Sequence, residues 1–430
     1  MPMKITVHRG LEQIGGCITE ISTDTSRVFI DFGQNLPGCG EPTTPEEDAA
    51  MVARILVQNK KEHEAVFYTH GHEDHVGLAE YIAEEVPQYM SEGTQGLLEI
   101  KYDVIRQAAD LKAHELLARE CDPQERSDAL CHRDEAENKC RLVDRMRVWK
   151  HKPSDVVGES ISIGNIWVTP FSNCHSIYDS YMFLIEADGK RIWHTGDYRE
   201  HGYRGKDLFP TLEEYATDID MLITEGTMLK SEGRCIHERR VSDEMQRKMQ
   251  AFKYVFILAS ATDIERLAAI KEACREASKP LYICSLFIRK TMEYFTERES
   301  ALSEGLFSFA PLFYKDYKLK KIKRTGMAMI VGTSQMERVR GLLDRLPQPE
   351  TLLIYSSWDG YYKEPEQVKV NPKYKEFREM FHNVVDIHTS GHADRPTIEA
   401  VIKTVNPKKI ICIHKDADAE LPEFGIRKSL

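Results

Sequence analysis

Three histidines and an aspartate lie close together in the segment Thr69–Gly77, in the order His70, His72, Asp74 and His75. Imidazole nitrogens and carboxylate oxygens are ligands that divalent metal ions accept, zinc first among them. Two ligands separated by one residue, such as His70 and His72, can reach the same ion, while Asp74 and His75 point toward a second. The segment therefore predicts a metal site. A polar surface turn that is rich in histidine is the alternative.

Predicted strands must position these side chains. The mostly apolar run Glu64–Tyr68 predicts a buried strand that ends at His70, and a helical pattern runs from Val76 to Ile82, with Asp74 near its start. Three more candidate ligands follow strand-like runs later in the chain: His175, Asp197 and His414. A loop rich in proline, glycine and cysteine, Pro37–Pro45, is long enough to cover the site.

Composition restricts the class of protein. A chain of 430 residues exceeds one ordinary hydrophobic core, so two domains are expected. Apolar residues make up 41% and charged residues 30%, which is typical of a soluble globular protein. No apolar run approaches the roughly 20 residues that span a bilayer. Ten cysteines without a C-x-x-C pair indicate reduced thiols and a cytoplasmic location.

The net charge of −11 argues against a large surface that coats DNA, although bound metal ions can supply local positive charge to a nuclease. Residues 96–150 are highly charged with a helical pattern, which predicts a solvated helical arm. Residues 231–355 alternate strand-like and helical runs, which predicts a small parallel sheet. Within them, Phe313–Arg324 interleaves aromatic and basic residues. Its Lys318, Lys320 and Lys321 are candidate nucleic-acid contacts, and a solvated helix or loop is the alternative.

The motifs and their order resemble the signature of the metallo-β-lactamase superfamily of metal-dependent hydrolases. Glu225 at a strand end, the Ser390–Ala393 segment and His414 are similar to the three marks of its β-CASP nuclease group, and the resemblance is strongest to the ribonuclease J family. It implies an α/β (α+β) fold: a four-layer αββα domain with an inserted parallel α/β domain. The expected bounds are 1–230 and 356–430 for the first domain and 231–355 for the insert.

The resemblance also implies the metal ligands. His70, His72 and His175 would hold one zinc ion, and Asp74, His75 and His414 would hold the other, with Asp197 between them. Asp31 and Glu225 would orient ligating side chains without binding metal. Manganese is the alternative metal. Zinc lowers the pKa of bound water to about 7, so such a centre supplies an activated water at neutral pH.

A phosphate-binding turn is the remaining expectation, formed by His388, Thr389, Ser390, Gly391 and His392. Asp394 and Pro396 predict a helix start after this turn, and a glycine turn at a helix N-terminus presents N–H groups to an anion. The resemblance assigns His392 to stabilising or protonating the leaving group. Asp74 is also a candidate for handling the proton.

The resemblance implies a nuclease that acts on RNA, with single-stranded DNA, exonuclease or endonuclease action and homo-oligomer formation left open. It also implies a C-terminal domain that does not follow in this sequence, and no membrane partner is expected. Two other interpretations stay open. A small-molecule hydrolase of the same superfamily, of the lactonase or thioesterase type, would share the metal ligands. A non-catalytic relative would be expected to lose some of them.

Overall fold

Three β-sheets organise the chain in the computed structural model, which describes residues 3–117, 122–152, 155–299, 305–421 and 427–428. The first sheet is mixed and has the order β1-β2-β3-β4-β5-β6. Numbered along the chain, its strands are β1 (Lys4–Arg9), β2 (Ile18–Ser22), β3 (Ser26–Ile30), β4 (His63–Phe67), β5 (Gln88–Met90) and β6 (Arg147–Val148). From β3 to β6 all neighbours pair in parallel.

The second sheet has the order β19-β18-β11-β10-β9-β8-β7. Its strands are β7 (Ile161–Ile163), β8 (Ile166–Ser172), β9 (Tyr181–Ala187), β10 (Lys190–His194), β11 (Met221–Glu225), β18 (Lys409–Ile413) and β19 (Arg427–Lys428). Strand β18 comes from the end of the chain and pairs in parallel with β11. The last part of the sequence therefore completes the sheet that the first half begins.

These two sheets pack face to face. Val28 and Phe67 of the first sheet share a buried cluster with Val168 and Phe183 of the second. Helices cover the outer faces: α1 (Pro45–Val57) and α4 (Pro123–Arg145) on the first sheet, α5 (Leu208–Tyr215) and α14 (Arg395–Val405) on the second. The four-layer αββα arrangement expected from the resemblance is confirmed.

Local sequence signals explain where the covering helices begin. Thr44 caps α1 by accepting a hydrogen bond from the Glu47 N–H, while the Glu47 carboxylate accepts from the Thr44 N–H. Asp394 caps α14 in the same way, with its side chain accepting from the Thr397 N–H. The helix start predicted at Asp394 is therefore confirmed.

The third sheet is parallel throughout and has the order β14-β13-β15-β12-β16-β17. Its strands are β12 (Tyr254–Leu258), β13 (Leu281–Ile283), β14 (Leu312–Phe313), β15 (Met327–Val331), β16 (Thr351–Tyr355) and β17 (Val384–Asp386). The helices between and beside them are α6 (Glu238–Ala251), α7 (Ile264–Glu276), α8 (Leu286–Glu299), α9 (Leu319–Thr325), α10 (Met336–Leu343), α11 (Gly360–Lys363), α12 (Pro365–Val370) and α13 (Lys373–Glu379). The alternation predicted for this region is confirmed.

This sheet extends beyond the boundary expected at residue 355. Strand β17 pairs with β16, so its residues Val384–Asp386 belong to the third sheet and not to the first two. The sequence pattern missed this strand because it has only three residues and is partly exposed. The division of the chain into two domains stays a prediction.

The charged segment after β5 forms a hairpin of two long helices, α3 (Glu92–Leu117) and α4. Lys290 and Arg298 of α8 form ion pairs with Asp103 and Glu92 of α3. Lys101, also on α3, forms an ion pair with Glu73, which lies within the histidine motif. The hairpin thus connects the first sheet to the parallel sheet.

Among the helices of the described residues, none combines the length and apolar composition required to cross a bilayer. The nine cysteines within these residues are free thiols.

Candidate dinuclear metal site

The ends of four strands deliver all seven predicted ligands to one buried cluster. His70 and His72 follow β4, His175 follows β8, Asp197 follows β10 and His414 follows β18. Directly after His72 the chain makes one helical turn, α2 (Glu73–Val76), which carries Asp74 and His75. The longer helix predicted over residues 76–82 is wrong in extent, because the Leu78 N–H donates to the Phe32 carbonyl and turns the chain back to β3.

One carboxylate oxygen, Oδ2 of Asp197, lies at the centre of the cluster. Its distances to imidazole nitrogens are 3.1 Å to His75 Nε2, 3.6 Å to His414 Nε2, 3.7 Å to His175 Nε2 and 3.9 Å to His70 Nε2. These histidines belong to both predicted ligand sets. Asp197 therefore stands between the two sets, as the predicted bridging role requires.

Donor atoms of each predicted set also converge on one another. In the first set, His72 Nδ1 lies 3.1 Å from His70 Nε2 and 3.2 Å from His175 Nε2. In the second set, Asp74 Oδ2 lies 3.1 Å from His414 Nε2 and 3.7 Å from His75 Nε2. Each set could hold an ion.

The outward-facing ring nitrogens are held by other groups. These contacts are His70 Nδ1 with Thr69 Oγ1 (3.0 Å), His75 Nδ1 with Asp31 Oδ2 (2.8 Å), His175 Nδ1 with the Gly391 carbonyl (2.7 Å) and His414 Nδ1 with Thr227 Oγ1 (2.7 Å). A hydrogen bond at Nδ1 fixes the ring and directs the lone pair of Nε2 toward the cluster, as in metal-ligating histidines. Asp31 thus contacts a predicted ligand, as expected for an orienting carboxylate.

Two buried atoms support a metal at this position. His75 Nε2 and Asp197 Oδ2 have no partner with hydrogen-bond geometry among the described residues, although they are 3.1 Å apart. Leaving buried polar atoms without partners costs free energy. A cation between them would satisfy both, so the donor set fits a divalent metal.

The electrostatics of the cluster favour ionised carboxylates. Burial alone would raise the pKa of Asp197, but His414 and His75 hold it well below its ordinary value. Burial lowers the pKa of His70 and of His175 well below the usual range, and neighbouring imidazoles add to that effect. These are the forms of imidazole and carboxylate that bind metal. His75 differs: burial alone would lower its pKa, but Asp197, Asp74 and Asp31 raise it well above the usual value.

The Glu225 carboxylate forms its hydrogen bonds with the predicted phosphate turn and with Tyr198, and it also lies within 4.8 Å of ligand atoms of Asp197 and His414. Its Oε2 lies 3.0 Å from His392 Nδ1, and its Oε1 accepts from the Tyr198 N–H at 3.0 Å. Burial lowers the pKa of His392, but Glu225 and Asp197 outweigh burial and raise it to about 9. Thr227 Oγ1 also lies 3.2 Å from His392 Nδ1. No described residue forms a hydrogen bond with His392 Nε2.

The carbonyl groups of the turn 388–392 point into the protein. Arg266 donates to the Thr389 carbonyl and Arg199 to the Ser390 carbonyl, which also lies 2.7 Å from His201 Nε2. Arg266 further lies 3.0 Å from His388 Nδ1. Two buried guanidinium groups therefore fix the backbone of the turn.

Glycine is required within the turn because of close packing. A Cβ atom at Gly391 would lie 2.1 Å from Ser176 Oγ, which no side chain could tolerate without displacement. The Gly391 carbonyl holds His175, while its N–H has no acceptor among the described residues. The turn can thus approach both a metal ligand and an anion.

A buried ion network compensates the two arginines. Glu238, fully buried at the start of α6, accepts from Arg199 at 3.0 Å and from two nitrogens of Arg266 at 2.9 Å. Asp263 and Glu265 complete the network with ion pairs to Arg199. Sequence reasoning missed these residues, and Thr227 as well. No spacing pattern connects them to the turn.

The basic run lies on the edge of the parallel sheet opposite to the turn. Its first residues form the edge strand β14, whereas β17, the other edge, leads directly into His388. Five strand spacings of about 4.8 Å separate the two edges by about 24 Å. The Lys318 ammonium donates to the Phe313 carbonyl at 2.7 Å. The structure does not bring Lys318, Lys320 or Lys321 to the cluster, and their contact with nucleic acid stays a prediction.

Two family models match parts of this site. Residues 37–88, which carry the first histidine motif, match the model of the metallo-β-lactamase superfamily. Residues 380–419, which carry the turn and His414, match a model described as a Zn-dependent metallo-hydrolase RNA specificity domain.

Similar proteins include ribonuclease J of Sinorhizobium meliloti, 22% identical over 91% of this chain and 64% of that protein. Transcription termination factor FttA of Thermococcus kodakarensis is 24% identical over 96% of this chain and 67% of its own length. An RNase J-like protein of Methanocaldococcus jannaschii is 24% identical over 95% of this chain and 91% of its own length. This chain thus spans about two thirds of the length of the first two.

A crystal structure of a protein of unknown function from Enterococcus faecalis V583 has the same fold. The TM-score is 0.67 at 18% sequence identity, covering 99% of this chain and 97% of that one. Fold, ligand cluster and family matches together define a class: the chain is similar to the metallo-β-lactamase superfamily. Within that superfamily, it resembles the ribonuclease J-like members of the β-CASP group.

The buried ion network generates a prediction about stability. Glu238→Gln removes the carboxylate that compensates Arg199 and Arg266, and removing one partner of a buried ion pair costs about 3–5 kcal/mol. We therefore expect a lower free energy of unfolding by that amount in urea denaturation. The matched control is Glu337→Gln, which removes an exposed pair with Arg340 and should cost less than about 1 kcal/mol. Equal denaturation midpoints for the two variants would contradict the role given to the network.

Proposed function

We propose that the protein is a metal-dependent phosphodiesterase that hydrolyses RNA, with single-stranded DNA as a second substrate class. The observation that carries this proposal is the pair formed by His392 and Glu225 beside the ligand cluster. His392 Nδ1 is engaged and Nε2 has no hydrogen bond among the described residues, so Nε2 can act on a substrate. The match of residues 380–419 to an RNA specificity domain supports RNA as the substrate.

We propose two zinc ions per chain, with manganese as the alternative. His70, His72 and His175 would hold one ion, Asp74, His75 and His414 the other, and Asp197 both. When bound, such ions supply an activated water and neutralise charge on the phosphoryl oxygens.

The chain's own residues would position the phosphodiester and move protons. The turn 388–392 would hold a substrate phosphate through backbone N–H groups, because its carbonyls are already bonded to Arg199, Arg266 and His175. As water attacks phosphorus in line with the 3′ oxygen, Asp74 would accept a proton from the water. His392 would give a proton to the departing 3′ oxygen as the P–O bond breaks.

The same residues argue against a small-molecule hydrolase of the lactonase or thioesterase type. Such an enzyme needs the metal ligands, but it does not need a histidine held by Glu225 in a turn that two buried arginines fix. The parallel sheet also has no role in that chemistry. We also propose a cytoplasmic location and homo-oligomer formation.

A measurement of metal content tests the ligand assignment. Protein that has never met a chelator should contain close to two divalent ions per chain by elemental analysis after dialysis. Asp197→Ala should lower that number because its Oδ2 lies within 3.9 Å of imidazoles from both sets. Asp188→Ala, in the exposed turn between β9 and β10, is the control and should keep both ions. A content near zero in the wild type would refute the assignment.

Cleavage by His392→Ala tests the catalytic assignment. The variant should keep its metals and fold but lose RNA cleavage by roughly two to four orders of magnitude, the usual range for a general acid. His414→Ala should differ by losing activity together with metal. Both are compared on labelled RNA and DNA oligonucleotides with 5′-phosphate or 5′-hydroxyl ends. If the turn grips a terminal 5′-phosphate, the phosphorylated RNA should be degraded faster.

The matched control is the exposed His382→Ala, which should cleave as the wild type does. Normal RNA cleavage by His392→Ala would make the turn structural and overturn the phosphodiesterase proposal. Wild-type protein that hydrolyses a lactone or thioester, but neither RNA nor DNA, would favour the small-molecule class.

A further inference from the structure

An aromatic cluster of Trp358, Tyr361 and Tyr374 follows β16, where the carboxyl end of the strand leaves the parallel sheet. Tyr361 and Tyr374 stack with ring centroids 4.5 Å apart and planes at 16°, and Trp358 meets Tyr361 edge-on at 5.3 Å and 78°. Trp358 is 45% exposed, whereas Trp149 and Trp193 are buried. An exposed indole in an ordered aromatic cluster offers a free π-face.

Local contacts hold the Trp358 ring in place. A Cβ atom at Gly360 would lie 2.2 Å from Cζ2 of Trp358, so the indole packs directly on the glycine backbone. The Trp358 carbonyl accepts a hydrogen bond from the Tyr355 hydroxyl at 3.2 Å. An aromatic surface that is fixed before binding loses little conformational freedom when a ligand covers it.

Helix α12, which lies between Tyr361 and Tyr374 in the chain, contacts the loop Pro37–Pro45. Gln367 of α12 donates to the Pro37 carbonyl, and a Cβ atom at Gly38 would touch the Glu366 side chain at 3.2 Å. Leu36, the residue before this loop, lies near Asp74, because a Cβ atom at Gly15 would be 2.9 Å from Leu36 Cδ1 and 2.8 Å from Asp74 Oδ2.

Two further observations support this location. Burial, then Tyr374 and the charge of Asp74, raise the pKa of Tyr361 to about 12. On the other side, the Ser356 carbonyl accepts from Arg266, the guanidinium that also holds Thr389. The segment from Ser356 to Tyr361 therefore begins beside the phosphate turn and ends next to α12, the helix that contacts the loop Pro37–Pro45.

We propose that Trp358, with Tyr361 and Tyr374 behind it, is a stacking surface for a nucleobase of the strand that is cleaved. This inference rests on the proposed function, because it assumes that a phosphate of the same strand is held at the turn 388–392. Base–aromatic stacking tolerates any base, since every base has a π-face. The surface thus selects unpaired nucleotides, whose bases are free to stack, without reading their sequence.

Tryptophan fluorescence tests the contact directly. A single-stranded oligoribonucleotide with cleavage-resistant phosphorothioate links should quench part of the wild-type emission as it binds. Trp358→Phe should lose that quenching, while Trp167→Phe should keep it. Trp167 is the matched control because it is 51% exposed and lies at the start of β8, far from the end that delivers His175. Equal quenching in Trp358→Phe and the wild type would overturn the stacking role.

Steady-state cleavage gives the second readout. Trp358→Ala should bind and cleave single-stranded RNA roughly 5- to 150-fold less well, the range expected when one base–aromatic stack is lost. Trp358→Phe should recover most of the loss, and Trp167→Ala should show none. On an oligonucleotide with abasic sites, wild type and Trp358→Ala should differ little. Metal content and hydrolysis of a small chromogenic phosphodiester should be unchanged by Trp358→Ala.

The outcomes separate the two proposals. If the wild type cleaves RNA and Trp358→Ala cleaves it equally well, the stacking inference is wrong and the proposed function stands. If Trp358→Ala loses the same factor on abasic and normal strands, the residue has a structural role and the inference is again wrong. Wild-type protein that neither binds nor cleaves any oligonucleotide would overturn both.

Discussion

The site depends on one electrostatic constraint: the buried carboxylate of Asp197, which follows β10, stands between imidazoles that arrive from the ends of three other strands. Asp74 and Glu225 add two more carboxylates within the same buried volume. Several buried anions can coexist only if cations or hydrogen-bond donors compensate them. The fold supplies hydrogen-bond acceptors to the outer ring nitrogens, such as the Asp31 carboxylate and the Gly391 carbonyl, and leaves the inner atoms facing one another. The two packed sheets are therefore a frame that keeps these groups at a separation suited to metal.

The convergence of the seven candidate ligands could be predicted from the sequence, because most of the signals involved are local. Four of the candidate ligands are neighbours in the chain: His70, His72, Asp74 and His75. The other three follow apolar runs that are typical of strands. Since parallel strands β10, β11 and β18 end at the same edge of one sheet, residues that follow them meet. The order of the motifs then indicated the superfamily, whose ligand sets could be carried over residue by residue.

The support for the turn could not be predicted in this way. Arg199 and Arg266 reach backbone carbonyls that are more than a hundred residues away in the chain, and a carbonyl leaves no mark on the sequence. The basic run shows a different limit of sequence reasoning. Its composition indicates contact with nucleic acid, but composition does not determine where a segment lies in the fold. The run lies on the edge of the parallel sheet opposite to the turn. No sequence motif surrounds Trp358, and only the structure shows that it is exposed and packed against Tyr361.

One hydrogen bond gives the site a thermodynamic property. The carbonyl of Gly391, in the turn, accepts from Nδ1 of His175, a predicted metal ligand. A shift of the turn on binding an anion would therefore reorient an imidazole that faces the metal, and loss of the metal would free the turn. By linkage, the two affinities must change by the same factor. Ion and substrate would then act as mutual effectors, and the occupancy of each would depend on the concentration of the other.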